Sequence, residues 1–245
     1  MSKQNRTFVI GDIHGANKAL LQVLERAPVK PEDTLIFLGD YVDGWSESPE
    51  VINTLIELNN SHNCIFIKGN HDALFLEWQQ TKKHNPNWLL HGGQATIDAY
   101  DKIDRTTLMI HLRFFENLDY FHIDDQKRLF VHAGFSNVHG VTNEYFPEMV
   151  YWDRSLWEMV LAMDKSLNEE DLHYPERLRH YSEIFIGHTP TIRLNQTIPI
   201  QMDKVWNVDT GAAYKSPLTI MDVHTKEFWQ SDNVNTLYPD EIGRN

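Results

Sequence analysis

Apolar, β-prone runs in this chain repeatedly stop at a residue suited to binding metal. Thr7-Phe8-Val9-Ile10 leads into Gly11-Asp12-Ile13-His14-Gly15, and Leu35-Ile36-Phe37-Leu38 into Gly39-Asp40-Tyr41-Val42-Asp43. Cys64-Ile65-Phe66-Ile67 leads into Lys68-Gly69-Asn70-His71-Asp72. Later runs end at His132, at Gly187-His188, and at Asp209 followed by Thr210-Gly211. Short continuous apolar runs with such boundaries read as strands buried in a core. Between the first two, Ala16, Ala19, Leu20, Val23, Leu24 and Ala27 recur at helical spacing, and Pro28 closes the helix. A second helix carries Val51, Ile52, Leu55, Ile56 and Leu58, with Ser48 expected as N-cap, Pro49 in the first turn and Glu50 favoured by the dipole. This βαβαβ order predicts parallel strands joined by right-handed crossovers.

The middle of the chain reads differently. Residues 73–80 and 105–118 have helical spacing and are separated by Lys83-His84-Asn85-Pro86-Asn87 and His91-Gly92-Gly93. The expectation is a helical insertion, about 72–123, lying over the rim of the sheet. Strand patterning returns at 128–132, 183–187, 205–208, 218–223 and 227–230, around an irregular and helical stretch at 144–181. These late strands predict a second, mixed sheet. The fold class is therefore α/β (α+β), a single domain over 1–245, with a loose tail from about 234.

Strand ends that gather at one rim bring their side chains into one cleft. Asp12 and His14, two apart on an extended segment, point the same way. Asp40 can bridge two cations with its two oxygens. One ion would then take Asp12, His14 and Asp40, and the other Asp40, Asn70, His132 and His188. Mixed nitrogen and oxygen ligation suits Mn, Fe, Zn or Co better than Mg or Ca, and Mn is the leading expectation. Two such ions can share a hydroxide and neutralise a phosphoryl group during in-line displacement. His71, held by Asp43, is the expected general acid for the leaving oxygen.

Composition narrows the partners. The chain has 245 residues, 41% hydrophobic and 23% charged, with 35 acidic against 22 basic residues and a net charge of −13. That balance argues against a protein that coats nucleic-acid duplexes, while local cations can still accommodate a phosphorylated substrate. The single cysteine, Cys64, excludes an intrachain disulfide and is read as a core residue. No signal-peptide pattern precedes the first strand, and no apolar stretch approaches the ~20 residues a bilayer span needs. A cytoplasmic location without membrane partners is the resulting expectation.

The motifs Gly-Asp12-Ile-His14-Gly, Gly-Asp40-Tyr-Val-Asp43, Gly-Asn70-His71-Asp72, His132-Ala-Gly and Gly-His188-Thr, in this order, resemble the calcineurin-like metallophosphoesterases. More narrowly, they resemble the phosphoprotein phosphatase branch in its compact bacterial and phage-type form. The resemblance spans about residues 7–220. It implies a central two-sheet β-sandwich flanked by helices, a dinuclear divalent centre, hydrolysis without a phosphoenzyme, metal roles at the matching positions and acid–base roles for His71 and Asp43. One departure stands out: where the family's second motif continues with arginine, this chain reads Asp43-Gly44-Trp45. Lys68 occupies a position where relatives often carry another arginine, and lysine is not an equivalent fork. Trp152-Asp153-Arg154 resembles a bacterial Trp-x-Arg segment, which makes Arg154, with Asn70, the expected phosphate clamp.

Simpler roles compete for several residues. His62, His84, His111, His122, His139, His173, His180 and His224 are read as surface or packing residues, and His91 as structural. Asp209 can hold a loop or face a ligand. Arg154 could instead pair with Asp153 or Glu158, and Trp45 could wall the cleft mouth. The leading expectation is a dinuclear metal-dependent phosphomonoesterase of the serine/threonine protein phosphatase type, acting on a phosphoprotein or small phosphoester. The alternatives are a symmetrical dinucleoside tetraphosphate hydrolase and a catalytically weak phospho-ligand-binding module.

Overall fold

The computed structural model describes residues 6–244. Its first sheet grows from β1 (Thr7–Ile10), β2 (Thr34–Phe37) and β3 (Asn63–Phe66), all parallel, linked by α1 (Asn17–Arg26) and α2 (Ser48–Leu58). The helical middle comprises α3 (Asn70–Thr81), α4 (Pro86–Trp88), a wide turn over Leu89–Gly93, α5 (Gln94–Tyr100) and α6 (Arg105–Glu116). The chain then enters the second sheet with β4 (Phe121–Ile123) and β5 (Arg128–Val131). After α7 (Ser155–Ala162) and α8 (Glu176–Arg179) come β6 (Glu183–Ile186), β7 (Ile200–Met202) and β8 (Val205–Asn207). The hairpin β9 (Thr219–Asp222) and β10 (Phe228–Gln230) precedes α9 (Val234–Leu237).

The sheet orders are β10-β9-β1-β2-β3 and β4-β5-β6-β8-β7. Alternation along each central strand explains why both faces are apolar. In β1 and β2, Phe8, Ile10, Leu35 and Phe37 face the cluster shared with α1 and α2, whereas Val9 and Ile36 face inward. In β5 and β6, Leu129, Val131, Ile184 and Ile186 face the cluster containing α7 residues, whereas Phe130 and Phe185 face inward. The inward set joins Val9, Ile36, Leu38, Ile67, Phe130, Phe185, Val208, Met221 and Val223 into one core between the sheets. The period of two thus builds a helix–sheet–sheet–helix stack.

Four expectations are corrected. The 218–223 and 227–230 strands join the first sheet, not the second, because β9 pairs antiparallel with β1. The middle is not wholly helical to 123, since β4 forms an edge of the second sheet. Within it, α5 and α6 pack on α2, while the start of α3 and the Asn85–His91 region reach the rim. Ser48 does not cap α2; its hydroxyl lies 3.3 Å from Thr96 Oγ1.

The fourth correction concerns the closing segment, which is docked rather than loose. Trp45 is fully buried instead of walling the cleft, donates from Nε1 to the Ala212 carbonyl at 2.8 Å, and stacks on Tyr238 at 5.2 Å. Glu241 accepts from the Ser46 hydroxyl at 2.7 Å and the Ser46 amide at 3.0 Å. Asn245 lies outside the described residues.

Phe130 and Phe185 stack 4.9 Å apart with planes 10° from parallel. Truncating either opens a cavity that the two rigid sheets cannot close. Phe130→Ala should lower stability by about 3–5 kcal/mol in urea unfolding; a loss below about 1 kcal/mol would show that the interface repacks.

Candidate functional site

Parallel pairing of β1, β2 and β3, and of β5, β6 and β8, brings their C-terminal ends to one rim. Asp40 sits at the centre of that rim. It adopts left-handed backbone (φ 54°), as do His14 (52°), Asp43 (73°) and His188 (67°). Such conformations are uncommon away from glycine and concentrate at functional sites. Asp72, in the first turn of α3, holds the Asp40 loop in place. Its Oδ2 accepts from the Asp40 and Gly69 amides at 2.8 Å, and its Oδ1 accepts from the Tyr41 amide at 2.9 Å.

Asp40 in turn fastens its neighbours. Its carbonyl accepts from the Ile13 and His14 amides, and its Oδ1 accepts from the His71 amide at 2.9 Å. Its Oδ2 lies 3.4 Å from Nε2 of both His14 and His132. A Cβ on Gly69 would fall 2.1 Å from Asp40 Oδ1, and one on Gly187 2.1 Å from Asp12 Oδ1, so both close approaches require glycine.

The other expected ligands converge here. Asn70 Oδ1 lies 3.1 Å from His132 Nε2 and 2.9 Å from His188 Nδ1. Asp12 Oδ2 accepts from the His188 amide at 3.0 Å and lies 3.9 Å from His14 Nε2. Backbone carbonyls orient two of the rings from behind. His132 Nδ1 donates to Leu38 O at 2.8 Å and His14 Nδ1 to Val42 O at 3.1 Å, which turns each Nε2 inward.

The electrostatics test whether these residues suit a cation. Burial, reinforced by Asp209, pushes the Asp12 carboxyl well above its ordinary range, and its buried Oδ1 has no hydrogen-bond partner. Burial opposes charge on Asp40 as well, yet His132 and His71 hold its carboxyl well below the usual range. Burial likewise disfavours charge on His132, but Asp40 and Asp12 lift it to about 10. Burial and Arg244 depress His14, and burial and His132 depress His188. An orphaned buried carboxylate oxygen beside converging carboxylate, amide and imidazole donors fits divalent cations. Two groups, His14–Asp40–His71 and Asp40–His132–His188, could each hold an ion with ligand atoms within 4.8 Å of one another, and both use Asp40.

His71 and Asp43 form the expected pair. Asp43 Oδ2 accepts from His71 Nδ1 and from Trp88 Nε1, both at 2.5 Å, and its Oδ1 accepts from the Thr96 hydroxyl at 2.6 Å. Three donors thus fix a fully buried carboxylate. The imidazole held this way presents Nε2 away from Asp43.

Cationic and aromatic groups edge the mouth. Arg154 Nε lies 3.3 Å from His188 Nε2; Asp153, just ahead of α7, accepts from the Ser155 and Leu156 amides instead of pairing with it. Arg193, on the turn Thr191–Leu194, and Arg244 line the same site. They continue into a cleft of about 600 Å³ with Trp88, His91, Trp152 and Tyr214 on its walls. His91 therefore faces the cleft rather than serving only the backbone turn. Lys68 lies elsewhere, its Nζ 5.4 Å from the Tyr120 ring centre. Asp209 lines the site and also accepts from the Gly211 amide. His111 is a packing residue, bonded to Asn53 and Tyr100.

Sequence reasoning missed Asp72, Thr96 and Trp88 behind the site, and Arg193, Tyr214 and Arg244 at its mouth. Asp72 stood inside a recognised motif, so its position was a usable signal. Thr96 and Trp88 lie on the short helices α5 and α4, Arg193 on a single turn, and Tyr214 and Arg244 in irregular segments, none within a motif.

Comparison with known proteins agrees with this geometry. Among curated relatives, the asymmetrical bis(5'-nucleosyl)-tetraphosphatase PrpE of Anoxybacillus flavithermus is 28% identical, over 87% of this chain and 88% of its own. Serine/threonine-protein phosphatase 2 of Escherichia coli is 32% identical, over 66% of this chain and 72% of its own. A solved structure described as a candidate diadenosine tetraphosphatase superposes with a TM-score of 0.65 at 18% identity, covering 95% of each chain, a likeness of fold. The model of the calcineurin-like phosphoesterases matches residues 6–209, and the chain belongs to that family of metal-dependent phosphoester hydrolases.

Proposed function

We propose that this chain is a phosphomonoesterase of the serine/threonine protein phosphatase type, working with two divalent cations. The observation that carries the reading is Asp40, whose Oδ2 stands 3.4 Å from imidazoles belonging to both sheets. Asp12, His14 and Asp40 would hold one cation, and Asp40, Asn70, His132 and His188 the other. When bound, the ions supply Lewis-acid neutralisation of phosphoryl oxygens and an activated water. Arg154 and the Asn70 amide bind and orient the phosphate at the cleft floor. His71 gives its Nε2 proton to the departing oxygen, while Asp43 stabilises the charged imidazole and keeps Nδ1 protonated. Trp88 and Thr96 prevent Asp43 from turning away.

A second reading rests on the cleft beyond the floor. Its volume of about 600 Å³, its aromatic walls and its three arginines suit a nucleoside with a chain of phosphates. Bis(5'-nucleosyl)-tetraphosphate hydrolysis is therefore the alternative, with symmetrical or asymmetrical cleavage read from the products. The weak phospho-ligand-binding module remains the contrast case, characterised by full metal occupancy without turnover.

Two experiments test this. His71→Asn and Asp43→Asn should each retain both ions by elemental analysis, and His71→Asn should lose about 10²- to 10⁴-fold in kcat. Asp40→Asn should lose ions and activity together. Loss of an ion from His71→Asn would instead make His71 a ligand, as its proximity to His14 and Asp40 allows. Separately, chelation should abolish turnover and added Mn restore it, with a phosphopeptide preferred over diadenosine tetraphosphate by kcat/KM. The opposite preference selects the second reading, and no turnover on either with ions in place would sink both.

A further inference from the structure

We propose that Arg244 binds the substrate phosphate, so that the closing segment supplies the guanidinium absent after Asp43. The proposal deepens the hydrolase reading and rests on it. Arg244 lies far from every motif in sequence, yet its Nη1 is 3.3 Å from His14 Nε2 and its side chain lines the site beside Asn70, His71, Arg154 and Arg193. Its Nε is buried without a hydrogen-bond partner. Among the described residues, Arg154, Arg193 and Arg244 make no ion pair with any carboxylate. In a chain of net charge −13, three unpaired guanidiniums around one cleft are a built receptor for an anion.

The backbone is shaped to admit this side chain. A Cβ on Gly92 would come within 3.1 Å of Arg244 Cγ, and one on Gly44 within 3.4 Å. Both glycines have positive φ, and the Gly44 amide donates to Gly92 O at 3.2 Å, so the two form a floor for the arginine stem. The same glycine that removes a local arginine thus makes room for a distant one. The segment is fastened on either side of this floor. Arg244 donates its amide to Ala213 O at 2.9 Å, its guanidinium lies 5.5 Å from the Tyr214 ring centre, and Gly243 packs against Trp45 so closely that a Cβ would fall 2.6 Å from Cζ2. Trp45 is therefore an anchor for the segment, which accounts for a large aromatic residue directly after Gly44.

Nη1 now faces the inward nitrogen of His14. Once that lone pair is engaged by a cation, Nη1 is left to a phosphate oxygen. A guanidinium can take two oxygens at once, which a point charge cannot. Arg244 would then set phosphate affinity alongside Arg154.

The test compares wild type, Arg244→Ala and Arg244→Lys, each Mn-loaded with metal content and thermal midpoint measured. Arg244→Ala should keep both ions and its midpoint, lose about 10- to 100-fold in kcat/KM on p-nitrophenyl phosphate, and bind inorganic phosphate about 10-fold more weakly by calorimetry. Added guanidinium at low millimolar concentration should restore part of the rate, and lysine should recover only part of the affinity. Unchanged kcat/KM and phosphate affinity in Arg244→Ala would overturn the proposal. Should Arg244→Ala shed ions or stability, Arg244→Lys decides: wild-type phosphate affinity with intact ions overturns the proposal, and weakened affinity upholds it. Wild-type turnover reports separately on the hydrolase reading, because phosphate affinity can be compared between variants whether or not the ester is cleaved.

Discussion

Burying Asp40 is the constraint on which the rest of the structure depends. Its carboxylate is almost wholly removed from water at the seam between two sheets, where an unpaired charge is costly. The fold accommodates it by attaching three chain segments to one residue. The Asp12–His14 turn hangs from its carbonyl, the Asn70–His71 helix start donates to one oxygen, and Asp72 holds its amide. His132 reaches the other oxygen from the second sheet. A change that displaces Asp40 therefore disturbs the candidate metal site and the sheet seam together. Conversely, a cation bound there contributes its binding free energy to folding.

The sheets make this convergence possible by being parallel where it counts. β1, β2 and β3 end at the same level, as do β5, β6 and β8, and the inter-sheet core aligns the two levels. Antiparallel strands appear only at the margins, in β4, β7, β9 and β10. Four site residues then turn into left-handed backbone immediately after their strands or motifs. Such conformations cost about 1–3 kcal/mol each. The Asp72 hydrogen bonds and the glycines that allow close approach hold the Asp40 turn in place.

Much of this was legible in the chain because strand, stop and ligand follow one another locally. Asp12, His14, Asp40, Asn70, His132 and His188 each follow a run of apolar residues, and all six meet in the structure. The Asp43–His71 pair could be anticipated because both residues flank expected ligands. What could not be read was long-range choice. Nothing in β9 states that it will pair with β1 rather than with its predecessors, and three-residue strands such as β4 and β7 are too short for alternation to register. Trp45 was misplaced because an aromatic residue beside a motif looks the same whether it faces solvent or a docked segment. Arg193 and Arg244 lie on a single turn and an irregular segment, where no periodicity indicates direction.

Those arginines also reconcile a chain of net charge −13 with an anionic substrate. At physiological ionic strength the Debye length is about 8 Å, so acidic residues across the surface are largely screened from the cleft. Inside it, the guanidiniums of Arg154, Arg193 and Arg244 and the cations the ligand set accommodates lie close enough to act unscreened on a phosphate. Burial and the mutual repulsion of Arg154 with Arg193 and Arg244 already depress the Arg154 guanidinium. Cations brought together without counter-anions are destabilising by themselves, and the cluster is relieved only when an anion enters. Under the proposed function, the cost of keeping them unpaired would be recovered as affinity for phosphate.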